Sequence, residues 1–193
     1  MAELDWPEHA GPELHAAIYR VVSAVMETGG AVGWIAVPTE PETARWLAEI
    51  LADARAGRAR LATVGAGGRL EALGRWVWYP KAAVSVNAEI LQVMVHPAAR
   101  GQGLARQLVS ALVNDAREHG VETLTLDVRG NNHVAMSLYE SLGFVVYGRL
   151  PDFVAVGAER WDRVLYRLDL RSWDSSVRRH GARPVGPGSS RSR

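Results

Sequence analysis

The stretch Glu89-Ile-Leu-Gln-Val-Met-Val-His-Pro-Ala-Ala-Arg-Gly-Gln-Gly-Leu-Ala-Arg106 decides how the rest of the chain is read. Its first part is expected to be a strand, Ala88–Val95, closed by His96-Pro97. Simple alternation puts Glu89 on one face with Leu91, Val93 and Val95. Its second part sets Gly101 and Gly103 in a turn just ahead of Leu104, Leu108, Ala111, Leu112 and Val113, which recur at helical spacing. Glycines in such a turn let a ligand approach the backbone closely, and the first-turn amides of the helix have no partner of their own. The helix dipole adds partial positive charge, so the place suits a phosphate or pyrophosphate. Arg100 supplies a full charge beside it. The turn alone leaves three readings open: a phosphate site, a dinucleotide turn of G-x-G-x-x-G type, or a plain connection. Arg106 stands where the dinucleotide pattern wants a third small residue, although Asp127 follows at roughly the 20-residue spacing of that pattern.

Downstream, the helix is expected to end near His119-Gly120, followed by strand Thr123–Val128, helix 133–142, strand Phe144–Arg149 and strand Trp161–Leu170. Upstream, Leu14, Ile18, Val21, Val22 and Val25 mark an amphipathic helix over 13–27, stopped by Gly29-Gly30. Thr39-x-x-Glu42 reads as a capping box for a second helix that buries Ala44, Leu47, Ile50, Leu51 and Ala54 and stops near Gly57. Arg60–Val64 and Leu70–Tyr79 read as strands joined by Gly65–Gly68. Residues 1–12, with Pro7, Gly11 and Pro12, show no strand. The order gives a three-layer α+β domain over 1–173, with a mixed sheet and right-handed crossovers after 88–95 and 123–128.

The 193 residues, 48% hydrophobic and 22% charged, are those of a globular protein of one ordinary domain. No apolar run is long enough to span a bilayer and the N-terminus lacks a signal-peptide pattern, so a cytoplasmic location is expected. Without cysteine there is no disulfide, thiolate nucleophile or Cys-based zinc site. The net charge of +1 hides an asymmetry. Residues 174–193 carry Arg178, Arg179, Arg183, Arg191 and Arg193 against Asp174. That leaves the body near −3, with no basic stripe for nucleic acid. The Gly-, Pro-, Ser- and Arg-rich tail is expected to be disordered.

Val95 to Leu108 resembles the GNAT N-acetyltransferase superfamily, whose signature [Q/R]-x-x-G-x-[G/A] is filled by Arg100, Gly103 and Ala105. Asn132-x-x-Ala135-x-x-Leu138-Tyr139-x-x-x-Gly143-Phe144 matches the second motif of that family at the expected distance. Gly29–Trp34 and Gly148–Pro151 are similar to the branch containing tabtoxin-resistance acetyltransferases. The resemblance implies a mostly antiparallel sheet whose central parallel strands, here 88–95 and 123–128, splay around acetyl-CoA. No pair of histidines has metal-ligand spacing, so no metal is expected. Backbone groups of Val93, Met94 and Val95 would pair with the pantetheine arm. The amides of Gly101, Gln102, Gly103, Leu104, Ala105 and Arg106 would hold the pyrophosphate, with Arg100 nearby and Asn132 on the CoA arm.

The same resemblance makes Tyr139 the general acid at the CoA sulfur and Glu89 and Asp127 the candidate bases. A base is needed because an alkyl ammonium, with a pKa of about 10.4, is mostly protonated at pH 7. Packing alone would also explain Tyr139, N-capping would explain Asn132, and a solvated strand end would explain either acid. His96 and His133 read as surface residues, and Trp34, Trp76, Trp78, Tyr79 and Trp161 as either core or acceptor-pocket aromatics. The function implied is transfer of acetyl from acetyl-CoA to a primary amine of a toxin, antibiotic, amino acid or polyamine by direct attack. A protein N-terminal or lysine acetyltransferase, a silent acyl-CoA sensor and a dinucleotide oxidoreductase are the alternatives. The expected partners are acetyl-CoA and the acceptor amine, with no membrane or nucleic acid, in a monomer or homodimer.

Overall fold

In the computed structural model, residues 2–30, 33, 34 and 36–173 are described. The expectation of a disordered tail over 174–193 falls outside them. The elements run β1 (Glu3–Asp5), α1 (Pro12–Glu27), α2 (Glu40–Arg55), β2 (Ala59–Ala66), β3 (Arg69–Trp78), β4 (Asn87–Val95) and α3 (Leu104–Glu118). They continue with β5 (Thr123–Arg129), α4 (His133–Leu142), β6 (Val145–Val156) and β7 (Glu159–Asp169). The strands form one mixed sheet in the order β1-β2-β3-β4-β5-β7-β6. Every neighbouring pair is antiparallel except β4 with β5. No helix among the described residues is long and apolar enough to cross a membrane.

Local chemistry sets the helix ends. Thr39 and Glu42 form the capping box: Thr39 N–H donates to Glu42 Oε2 at 2.7 Å and Glu42 N–H donates to Thr39 Oγ1 at 3.4 Å. Asn132 caps α4 by accepting from Ala135 N–H at 3.2 Å, and Gly143 ends that helix in the left-handed region. On one sheet face Leu108, Val109 and Leu112 of α3 pack on Ala62, Trp76, Ile90, Leu124 and Tyr166. On the other, Ile18, Val21, Val22, Leu47 and Ile50 of α1 and α2 pack on Leu61, Leu73 and Met94.

Strand β4 serves both cores because it is irregular. Leu73 pairs with Met94 and Arg75 with Leu91, so Gln92 and Val93 together oppose Gly74. Gln92 has φ of 56°, left-handed and uncommon for a residue with a side chain. The extra residue inverts the alternation. Ile90 packs toward α3, but Met94 packs toward α1 and α2, and Val93 and Val95 lie on the α3 side. The face shared by Glu89 and Leu91 is therefore not that of Val93 and Val95, which corrects the alternation read from the sequence.

Two further differences concern edges. Residues 3–5 do form a strand, held by pairing with Thr63–Gly65 although all three side chains are exposed. Strand β6 continues past Arg149 to Val156 through Pro151, with register irregularities at 146/148 and 150/154. Proline is tolerated there because β6 is the outermost strand and needs no ladder donor on its free side. Trp76 is 1% exposed and donates from Nε1 to Asp115 at 2.8 Å, so it is core rather than pocket lining. Trp34 stacks edge-on against Trp46 at 5.0 Å beside the α1–α2 core.

Candidate active site

Parallel pairing of β4 with β5 is limited to Asn87–Thr123, Ala88–Leu124 and Glu89–Thr125. Beyond that point the strands diverge. A cleft of about 840 Å³ opens between Ile90–Val95 on one side and Leu126–Arg129 on the other. The β4 backbone facing this gap has no ladder partner past Glu89, so it presents the free N–H and C=O groups of an edge strand inside the molecule. A ligand bearing amide groups can pair there as an added strand would.

One end of the cleft is the glycine turn. Gly101 and Gly103 have φ of 77° and 78°. A Cβ at Gly103 would meet nothing within 4 Å, so the left-handed backbone, not space, requires glycine there. No side chain caps α3, which leaves its first-turn amides available to an anion. Arg100 bridges the mouth by donating from Nη2 to Thr28 Oγ1 at 3.2 Å, and Arg106 donates to Ser141 Oγ at 2.7 Å, tying α3 to α4.

The residues expected from the sequence divide clearly. Val93, Met94, Val95, Arg100, Gly101, Gly103, Leu104, Ala105, Arg106, Asp127, Asn132 and Tyr139 all line the cleft; Gln102 and Glu89 do not. Met94 and Leu104 bury their side chains in the two cores, so only their backbones are on offer. The sequence reading missed Thr28, Gly29, Gly30 and Gly33, which wall the cleft. Their signal was present: the glycines taken as a helix stop continue to Gly33.

Tyr139 projects from α4, is 7% exposed, and stacks against Phe144 at 5.7 Å. Its hydroxyl makes no hydrogen bond with any described residue. Burial, reinforced by the nearby Asp127 charge, raises its pKa well above the usual phenol value. The hydroxyl therefore stays protonated through the neutral range and is present as a hydrogen-bond donor, although the shift makes it a weaker acid than a free phenol. Glu89 sits at the apex where the strands part, half-buried, and its pKa is raised by burial and by Asp127, against the opposing pull of Arg163 and Arg75. Asp127 differs: Arg163 donates to its Oδ1 in an ion pair. The two acids thus sit in different surroundings, Glu89 half-buried at the apex and Asp127 in an ion pair with Arg163. Among the described residues no three of His, Cys, Asp and Glu are grouped so as to hold a metal.

Residues 5–144 match the family model of the acetyltransferase (GNAT) family. The chain belongs to this family. An L-methionine sulfoximine/L-methionine sulfone acetyltransferase of Salmonella typhimurium is 36% identical over 90 residues, 47% of this chain and 48% of that relative. A ribosomal protein bS18-alanine N-acetyltransferase of Haemophilus ducreyi is 42% identical over 58 residues, 30% of this chain and 40% of its own. This chain thus matches about half or less of each relative's length. The fold of yncA from Salmonella typhimurium, solved with its cofactor acetyl-CoA, superposes with a TM-score of 0.75 at 24% identity, covering 91% of this chain and 96% of that one.

Proposed function

We propose that this chain is an acetyl-CoA-dependent N-acetyltransferase acting on a primary amine. The observation that carries the reading is the parting of β4 and β5 after Glu89, which sets free strand edge, an uncapped helix start and the Tyr139 hydroxyl along one cleft. In this reading the β4 backbone at Val93–Val95 pairs with the pantetheine arm and the amides of residues 101–106 receive the pyrophosphate, with Arg100 beside them. Asn132, although it caps α4, keeps its side-chain amide N–H donors for the arm. Acetyl-CoA is the donor and no metal takes part.

The chemistry follows from these positions. The amine loses a proton to Glu89, directly or through water, and its lone pair attacks the thioester carbonyl carbon. The C–N bond forms as a tetrahedral oxyanion, stabilised by backbone N–H of the opened β4 edge. Collapse breaks the C–S bond, the thiolate takes the proton of Tyr139, and the extra proton on the nitrogen passes through water to the Tyr139 oxygen, leaving a neutral amide, the CoA thiol and the phenol restored. A silent acyl-CoA sensor would keep the cleft but need neither Glu89 nor Tyr139. Calorimetric titration with acetyl-CoA, followed by free-CoA release over a broad amine panel, tests the proposal. Binding with CoA release supports it. Binding without release from any amine favours the sensor, and binding of NADH in place of acetyl-CoA would overturn both.

A further inference from the structure

Resting on the acetyltransferase reading, we infer that Arg75 binds the carboxylate of the acceptor, so that the acceptor is a free α-amino acid or a close analogue rather than a polyamine or a peptide N-terminus. Arg75 lies on β3 opposite Leu91, and Val77, two residues on, lies opposite Glu89. Arg75 and Glu89 are therefore diagonal neighbours on the α1–α2 face, with a spacing of about 7–8 Å between such positions.

Among the described residues five arginines are half-buried: 20, 60, 75, 129 and 163. Arg20 pairs with Glu71 at 3.4 Å, Arg60 with Asp115 at 3.3 Å, and Arg163 with Asp127. Arg129 has neutral partners, but both ends of its fork are used, Nε on Asn131 and Nη2 on the Gly29 carbonyl. Arg75 is the exception. Its Nε donates to Gln92 Oε1 at 2.6 Å, and among the described residues its two terminal nitrogens make no hydrogen bond and have no carboxylate within 4.0 Å. Asp53, one of the acids it feels, is already held by Arg58 at 2.7 Å. The guanidinium is half-buried, but its terminal donors stay open to solvent, so they are free to meet a ligand.

The pinning has a direction. With Nε fixed by Gln92, the paired Nη groups remain as a planar fork suited to a carboxylate. Gln92 sits in the left-handed bulge and itself lines the cleft, so Arg75 is anchored to the wall of the site. Glu89 supplies the opposite charge. An α-amino acid carries its ammonium and carboxylate on one carbon, matching a negative group at the strand apex and a positive fork one diagonal away. A polyamine would set a second cation against Arg75. A peptide N-terminus would offer it only a neutral amide.

The test compares the twenty L-amino acids and L-methionine sulfone with their carboxamides, measuring kcat/KM by CoA release for the wild type, Arg75→Gln and Arg75→Lys. The wild type should prefer acid over amide by about 10- to 100-fold, the range of a charged hydrogen-bond pair. Arg75→Gln should collapse that ratio toward one, Arg75→Lys should restore part of it, and acetyl-CoA affinity should stay within about twofold in calorimetry. Acetylation of amides as readily as acids by the wild type, or an unchanged ratio in Arg75→Gln, would overturn the assignment while leaving the acetyltransferase reading intact. Binding of acetyl-CoA without acetylation of any acid or amide would overturn the assignment alone, and failure of the wild type to bind acetyl-CoA would end both.

Discussion

Replacing Tyr139 by Phe separates chemistry from packing. The ring is 7% exposed and packs against Phe144 and Tyr166, contacts that phenylalanine keeps. The hydroxyl has no hydrogen-bond partner among the described residues, so no pairing worth the usual 0.5–1.5 kcal/mol is lost and the stability change should be about 0.5 kcal/mol or less. For a chain of this size about 1 kcal/mol moves Tm by roughly 2–4 °C, so Tm should shift by no more than about 2 °C. Loss of a general acid, in contrast, should lower kcat by about 10²- to 10⁴-fold with little change in acetyl-CoA affinity. Because the phenol pKa is raised, the wild type should show no alkaline limb from Tyr139 up to pH 9. The assay is kcat by thiol release across pH 6–9, alongside thermal unfolding. A kcat within threefold of wild type, or a Tm drop of 5 °C with proportionate loss of activity, would refute the role and leave a packing tyrosine.

Glu89 has a folded-state pKa raised by burial, so the folded chain binds its proton more readily than the unfolded one. That group favours folding as pH falls below its folded pKa and opposes folding above it. Glu89→Gln should therefore raise Tm at pH 8, with the gain fading as pH falls, and should abolish an acid limb of kcat lying above the ordinary carboxylate range. Gly103→Ala forces a side chain into a left-handed backbone, at about 1–2 kcal/mol. Acetyl-CoA affinity measured by calorimetry should fall about tenfold as the turn relaxes. Trp76→Phe removes a buried donor to Asp115, which is 8% exposed, and should cost about 1–3 kcal/mol in urea unfolding.

Much of the architecture was legible because its punctuation is chemical. The Thr39–Glu42 box, the Asn132 cap and the glycines at 101, 103 and 143 each demand one backbone course, and the helices and strands between them follow. What was not legible depends on partners distant in sequence. Residues 3–5 have no burial of their own and are a strand only because β2 lies alongside. Pro151 reads as a strand end until the sheet order puts it on a free edge. In the site, residue identities placed the turn, Asn132 and Tyr139 along the cleft, whereas the apolar neighbours of Glu89 set it only slightly apart from Asp127. The ion pair of Asp127 with Arg163, from another strand, is what makes their surroundings differ. Arg75 escaped notice for the same reason, since an unpaired guanidinium is defined by what does not surround it.

The bulge at Gln92 also fixes the counting of the chain. Upstream and downstream halves of β4 are out of phase by one residue, and each half is committed to a different core through Ile90 and Met94. Loss of Gln92 would leave Leu91 and Met94 two residues apart, in regular register with Arg75 and Leu73 and on their present faces, whereas flattening the bulge with no residue lost would send Met94 toward α3 and a valine toward α1. The extra residue is therefore spent on the cleft, where Gln92 forms part of the wall, and not on the assignment of side chains to the two cores.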